Sequence, residues 1–193
     1  MPEKPILLNT AMVRAILDGR KTQTRRVIKP VAMELRYENG MPAREPQYRI
    51  GDILYVRETW AISRRVLLNV DPDSGARHWS SWSDDNPERY LYRAGYTLMD
   101  DPGPVRWHPS IHMPKKAARI FLKVTNVRAE RLRSITEKDA MAEGVSPEPP
   151  FSFPDTYCRG FQKLWDSLAD ESTNWYANPW VWVYEFERVD HHA

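Results

Sequence analysis

The chain has 193 residues, of which 41% are hydrophobic and 28% are charged, with a net charge of +2 and one cysteine. This length fits a single domain with a sizeable insertion, and no stretch approaches the roughly 18 apolar residues that a membrane helix needs. A single cysteine excludes an intramolecular disulfide and predicts a cytoplasmic protein. With five scattered histidines it also argues against a structural zinc site. No metal or other cofactor is expected, and no protein partner can be identified.

The first part of the chain predicts a helix, a hairpin and two strands. Residues 10–18 have one apolar face and are followed by Gly19, which is typical of a short helix and its terminator. Residues 22–28 are predicted to be a strand. Asn39-Gly40 is a favoured tight-turn pair and predicts a loop or loose hairpin around it. Ile53 to Trp60 alternates as a strong strand does.

Residues 63–104 are predicted to be an insertion on the core fold, because they are rich in Ser, Asp, Pro, Trp and Arg and only Tyr90 to Ala94 is typical of a strand. After the insertion, the pattern predicts a strand at 118–125, a helix at 136–142 with Thr136 and Asp139 as a weak capping box, an amphipathic helix at 156–169 and a strand at 179–188. The buried face of the amphipathic helix is assigned to Phe161, Leu164, Trp165 and Leu168.

This order of elements predicts an α+β protein with a small, mostly antiparallel β-barrel rather than a doubly wound sheet. The barrel is expected to contain the strands at 22–28, 53–60, 118–125 and 179–188, with short helices flanking it. The segment 63–104 is expected to lie outside the core of the barrel.

The most informative stretch for chemistry is Gly-Arg-Lys-Thr-Gln-Thr-Arg-Arg at 19–26. By strand alternation Thr22, Thr24 and Arg26 point to one side, and Lys21 at the bend can swing toward the same cavity. A lysine and an arginine around a hydroxyl suit an anion or a polar base edge. The alternative is a basic strand on the surface.

Two segments, 14–36 and 115–133, carry most of their charge as lysine and arginine. If they meet in space, they form a positive face that suits the phosphates of a nucleic acid. The alternative is an ordinary solvated surface with a local bias of charge.

The stretch at 19–26 resembles the signature of ASCH domains, which belong to the PUA-like superfamily. Gly51-Asp52-Ile53-Leu54, the segment 135–144 and the segment 182–186 resemble further family features in the same order. The segments 57–60 and 109–114 look like those of a subgroup common in bacteriophages and prophages. The resemblance covers roughly 5–62 and 105–189, so the chain 1–193 is predicted to be one ASCH domain interrupted at 63–104.

The resemblance implies a PUA-like barrel with a cleft for nucleic acid. One branch of the family removes an acetyl group from acetylcytidine with a lysine, a threonine and a glutamate, which match Lys21, Thr24 and Glu143. Another ASCH type is described as a ribonuclease, and many members have no established activity. The resemblance therefore favours an RNA- or nucleoside-binding protein, with an amidohydrolase-like activity as the enzyme hypothesis and single-stranded nucleic acid as a further candidate ligand.

The chemistry of that trio is plausible in itself. A threonine hydroxyl needs a base to become a nucleophile, a buried lysine among other cations can be that base, and a carboxylate can handle the leaving amine or water. The residues predicted to bind the substrate or nucleic acid are Arg20, Arg26, Glu58 and Trp60.

A purely structural role stays open as an alternative for these residues. Glu143 can simply pair with a basic strand, and Glu58 can pair with Arg57 or another neighbour. At the level of the whole protein, the rivals to an amidohydrolase are a non-catalytic RNA-binding module, an ASCH-type ribonuclease and a phage accessory protein whose insertion docks on a host protein.

Overall fold

The structure is a computed structural model that describes residues 3–29, 37–38, 41–42, 44–63, 65–81, 89–95, 105–148 and 156–190. These residues form a mixed α+β fold, as the sequence predicts. None of the helices within these ranges is long and apolar enough to cross a membrane.

The described part of the chain contains α1 (Thr10–Leu17), α2 (Glu137–Ala142) and α3 (Thr156–Asp166). Its strands are β1 (Glu3–Leu7), β2 (Gln23–Val27), β3 (Tyr37–Glu38), β4 (Met41–Pro42), β5 (Ile53–Arg57), β6 (Trp60–Ser63), β7 (Arg65–Val70), β8 (Arg77–Ser81), β9 (Arg89–Tyr92), β10 (Phe121–Arg131) and β11 (Trp180–Val189). The three predicted helices are confirmed, and the predicted hairpin is present as β3 and β4, although its turn at 39–40 lies outside the described residues.

The main sheet has five strands in the order β1-β5-β10-β11-β2, so strands from all four predicted core segments lie in it. β10 pairs antiparallel with β5 and β11, and β11 pairs antiparallel with β2. A register shift between Val124 and Asn126 marks a bulge in β10. β1 was not predicted. Its Pro5 lacks a backbone N–H and argues against a central strand, but β1 is an edge strand, where proline is tolerated.

The prediction of one strand over 53–60 is wrong, because the ladder breaks at Glu58 and Thr59 and the chain continues as β6 in another sheet. The backbone N–H of Glu58 donates to the sulfur of Met113 at 3.2 Å, and the carbonyl of Thr59 accepts from the N–H of Arg93. These contacts divert the backbone groups that would have continued the β5 ladder.

The insertion contains more regular structure than the sequence predicts. β6 pairs with β9, and β7 pairs with β8, each as a separate two-stranded sheet. Asp71 accepts the N–H groups of Asp73 and Ser74 and thereby stabilises the turn between β7 and β8. None of these strands joins the five-stranded sheet. Parts of the insertion, at 64, 82–88 and 96–104, lie outside the described residues.

The described part of the chain divides into two compact units. The first unit consists of Met1–Lys4, Ala15–Tyr55 and Ile120–Ala193, and the second unit consists of Pro5–Arg14 and Val56–Arg119. The second unit has a small core of Trp60, Met113 and Ala117.

In the first unit, α2 and α3 cover one face of the sheet, where Phe161 packs with Val181 and Val183. Three of the four residues assigned to the buried face of the amphipathic helix are at least partly buried, but Leu168 is 64% exposed. The helix ends at Asp166, and Leu168 lies in the following turn, where helical periodicity no longer determines its direction.

Candidate active site

The turn before β2 is anchored on three sides within the first unit. The N–H groups of Arg20 and Lys21 both donate to the carbonyl of Ala15 in α1. The N–H of Thr22 donates to the end of α2, and its carbonyl accepts from β11. These bonds fix the backbone on both sides of Lys21, so the position of its side chain is set by the fold.

Lys21 and Glu143 meet although 122 residues separate them in sequence. They form an isolated antiparallel bridge, and Lys21 Nζ lies 2.7 Å from Glu143 Oε2. The side chains are 0% and 4% exposed. Lys21 Nζ also donates to the carbonyls of Gln23 and Glu143, at 2.8 and 3.0 Å. Three acceptors match the three N–H bonds of an ammonium group, so the geometry is that of charged Lys21.

The position of Glu143 depends on how α2 begins and ends. Thr136 and Asp139 form the predicted capping box at its start, and Glu143 is the C-cap residue. Gly144 then turns the chain with φ +78°. A β-carbon at this glycine would lie 2.7 Å from the Cβ of Ala15 and 2.8 Å from the Cβ of Lys21. Gly144 therefore provides the left-handed turn and the space that bring α2 close to Lys21.

Arg25 is the second cation on Glu143. Its Nη1 donates to Glu143 Oε1 at 3.0 Å, and its Nη2 donates to Glu130 Oε1 at 2.6 Å, while its side chain is fully buried. Arg128 continues the network by contacting Glu130 and Asp139. The side chains become more exposed along this path, so a chain of alternating charges leads from the buried Lys21–Glu143 pair toward the surface.

Burial lowers the pKa of the Lys21 ammonium group, because the charged form loses its hydration. Glu143 raises this pKa through its charge and its hydrogen bond, and the nearby Arg26 and Arg25 lower it again. Burial has the largest effect, so Lys21 gives up its proton more readily than an exposed lysine does.

Thr24 and Arg26 lie on β2 opposite Tyr184 and Trp182 of β11. By strand alternation these four side chains share the sheet face opposite to that of Arg25. Thr24 is 2% exposed, and among the described residues its hydroxyl makes no hydrogen bond to Lys21 or Glu143. The predicted base and carboxylate are therefore in direct contact, and the predicted nucleophile is buried in the adjoining strand without such a contact.

Tyr48 packs edge-on against Tyr184, with 5.0 Å between the ring centroids, and is buried in the first unit. Burial raises the pKa of Tyr48 to about 12, with Arg26 acting in the opposite direction. The folded protein therefore keeps this proton above pH 10, where an unfolded tyrosine loses it.

We expect Tyr48 to make the free energy of unfolding fall as pH rises from about 10 to about 12, because over this range the native state binds more protons than the unfolded state. Urea denaturation of the wild type and of Tyr48→Phe at several pH values tests this. The fall should be smaller in the variant, and an identical fall in the two proteins would contradict the burial effect.

Glu58 and Trp60, which were predicted to bind substrate, belong to the second unit. Glu58 is 1% exposed and accepts two hydrogen bonds from Arg119, at 2.9 and 3.1 Å. Trp60 is buried and stacks on His108, with 5.0 Å between the ring centroids. Both side chains thus have structural partners within their own unit, as the alternative of structural pairing for Glu58 anticipates.

Arg20, another predicted binding residue, donates to the carbonyl of Gly144 at 2.8 Å and pairs with Asp18. Three further residues of the network, Arg25, Glu130 and Asp139, were not predicted as site residues. The alternation of Lys21, Gln23 and Arg25 could have indicated a polar face, but nothing local indicates that α2 supplies its carboxylate. Among the described residues, no group of three His, Cys, Asp or Glu side chains could hold a metal ion.

Comparison of the chain with protein-family models, with curated proteins and with solved structures finds no match. The assignment of a function therefore depends on the geometry of the Lys21–Glu143 site and on the resemblance of the motifs.

Proposed function

We propose that the chain is a cytoplasmic ASCH-type protein with a PUA-like barrel, and that it hydrolyses an acyl amide on a modified nucleobase. The observation that carries this proposal is the buried Lys21–Glu143 pair, with Nζ and Oε2 2.7 Å apart. A lysine beside a carboxylate in a site with little water is a suitable base once it has lost its proton. The five-stranded sheet contains strands from all four segments that the barrel is expected to contain.

In the proposed reaction, Lys21 first passes a proton to Glu143 Oε2 and becomes a neutral amine. The amine then removes the proton of the Thr24 hydroxyl as its oxygen attacks the amide carbonyl carbon. The C–N bond breaks, and the leaving amine takes the proton from Glu143. This leaves an acyl-threonine ester, charged Lys21 and charged Glu143. Water hydrolyses the ester through the same two proton transfers, and the Thr24 oxygen leaves with the proton from Glu143.

For this reaction the Lys21 amine must come within direct or one-water reach of the Thr24 hydroxyl when substrate binds. Catalytic hydrogen bonds are often long or absent without substrate and form in the complex. The backbone of Lys21 and Thr24 is fixed by the surrounding hydrogen bonds, and Thr24 shares the sheet face opposite to that of Arg25. The neutral Lys21 side chain must therefore leave Glu143 and swing past β2 to reach the Thr24 hydroxyl.

The experiment that tests the proposal is a mass-spectrometric screen of acylated nucleosides and RNA with the purified protein. Deacylated product should form with the wild type and be lost with Lys21→Met. Thr24→Ser should retain more activity than Thr24→Ala, because it keeps a hydroxyl. A product that forms equally with Lys21→Met would exclude this site.

A non-catalytic RNA-binding module is the second candidate. The observation in its favour is that the Lys21–Glu143–Arg25 contacts are complete without a substrate, as in a structural ion-pair network. Such a module would bind RNA through cations at the surface, while the buried charges would hold α2 on the sheet.

Measuring RNA affinity at increasing salt tests whether the basic segments 14–36 and 115–133 contact phosphates. Several neutralised phosphates predict a log-log slope of roughly −3 to −5, at about −0.7 for each phosphate of a single strand. Fluorescence anisotropy with a labelled single-stranded RNA at increasing salt measures this slope. A flat response would show that the charges of these segments do not reach the backbone.

A further inference from the structure

We propose that Arg25 is a positioning residue of this site, which holds Glu143 Oε1 and leaves Oε2 as the one carboxylate oxygen that exchanges a proton with Lys21. The inference rests on the proposed function and adds to it a residue that lies outside the predicted trio. Arg25 acts through Glu143 and is not itself placed against the reacting atoms.

The geometry of Arg25 supports this role. Its Nη1 lies 3.0 Å from Glu143 Oε1, on the oxygen that Lys21 does not contact. Its Nε and Nη2 both donate to Glu130 Oε1, at 3.2 and 2.6 Å. Its guanidinium carbon lies 5.6 Å from the centroid of the Phe161 ring. The planar group is thus fixed on two carboxylates and an aromatic ring, and rotation of the Glu143 carboxylate would break one hydrogen bond on each oxygen.

Arg25 also acts on the protonation of Lys21, because its charge opposes the effect of Glu143 on the pKa of Lys21. Two buried cations share one carboxylate and repel each other, so the repulsion from Arg25 offsets part of the attraction between Glu143 and the Lys21 ammonium group. The charged groups that act on Lys21 are Glu143 from the end of α2 and Arg25 and Arg26 from β2. When Arg25 is removed, its repulsion of the Lys21 ammonium group disappears while the contact between Lys21 and Glu143 stays. Lys21 should therefore retain its proton to higher pH.

Arg128 offers a matched control in the same network. It is an arginine paired with Glu130, Asp139 and Glu185, and within the described residues it makes no ion pair with Glu143. Arg128→Gln therefore removes one positive charge from the cluster without freeing an oxygen of Glu143. A difference between Arg25→Gln and Arg128→Gln isolates the contact with Glu143 from the general loss of charge.

The experiment is an NMR titration of the full chain with lysine labelled at the side chain, in which the Lys21 signal is assigned from its absence in Lys21→Arg. We expect the Lys21 midpoint to move to higher pH in Arg25→Gln and to stay near the wild-type value in Arg128→Gln. Arg25→Lys keeps the charge and is expected to fold, but it lacks the planar guanidinium group whose N–H donors reach both Glu143 and Glu130. Its midpoint should lie between those of the wild type and Arg25→Gln.

Equal midpoints in Arg25→Lys, Arg128→Gln and the wild type would overturn the proposal, even if Arg25→Gln does not fold. Where acyl-nucleoside turnover is present, the alkaline limb of the kcat profile should move in the same direction as the Lys21 midpoint, because the reaction needs the one proton that Lys21 passes to Glu143. An unmoved limb would also overturn the proposal. A wild-type protein with no turnover would instead overturn the hydrolase proposal, and the titration would still decide the link between Arg25 and Lys21.

Discussion

Replacing Glu143 with alanine is expected to lower the free energy of unfolding by about 3–5 kcal/mol, the usual cost of removing one partner of a buried ion pair. The reason is that Lys21 and Arg25, both fully buried, lose the carboxylate that compensates their charges. Lys21 keeps its backbone acceptors, but carbonyl groups do not neutralise an ammonium ion. Urea denaturation followed by tryptophan fluorescence measures the change.

The control for this prediction is Glu187→Ala. Glu187 pairs with Lys123 at 3.7 Å, but both side chains are at least half exposed. Exposed pairs contribute about 0–1 kcal/mol, so this variant should stay close to the wild type. Similar losses in Glu143→Ala and Glu187→Ala would mean that the Lys21–Glu143 pair is hydrated in solution.

Gly144→Ala is expected to destabilise the protein by about 3 kcal/mol. Left-handed backbone costs a residue with a side chain about 1–2 kcal/mol, and overpacking in a tight site adds about 1–3 kcal/mol. Both apply here, because φ is +78° and the new β-carbon would lie within 2.8 Å of the β-carbons of Ala15 and Lys21. Because one of these atoms belongs to Lys21, the variant should also lower any turnover.

Gly19→Ala separates the two causes. Gly19 has a similar φ of +73°, but a β-carbon there would meet no atom within 4 Å. The free energy of unfolding of this variant should therefore fall only by the cost of the left-handed backbone, about 1–2 kcal/mol. If denaturation curves give the same loss for both glycines, the close approach of α2 to Lys21 is not tight in solution.

The sequence predicts the first unit better than the second. Alternation in β2, β10 and β11 and the capping box of α2 are local patterns, and local patterns were sufficient to find these elements. The break after β5 could not be predicted in this way. It depends on contacts of Glu58 with Met113 and Arg119, which are distant in sequence.

The candidate site was predictable only in part for the same reason. The local motif identified Lys21, and the resemblance to ASCH domains paired it with Glu143, which periodicity alone does not. Arg25 was not predicted as a site residue, because nothing in its own segment shows that Glu130 and Glu143 surround it. The charge balance of a buried cluster is a property of the tertiary fold and not of any segment.

The strand order has a consequence for synthesis of the chain. β2 carries Thr24, Arg25 and Arg26 and lies at the edge of the sheet, where its only strand neighbour among the described elements is β11. β11 begins at Trp180, long after β2 ends at Val27, so the motif cannot pair with its neighbour until this later strand has left the ribosome. A nascent chain that stops before residue 180 should therefore lack an ordered Lys21 site, however well its other elements have folded.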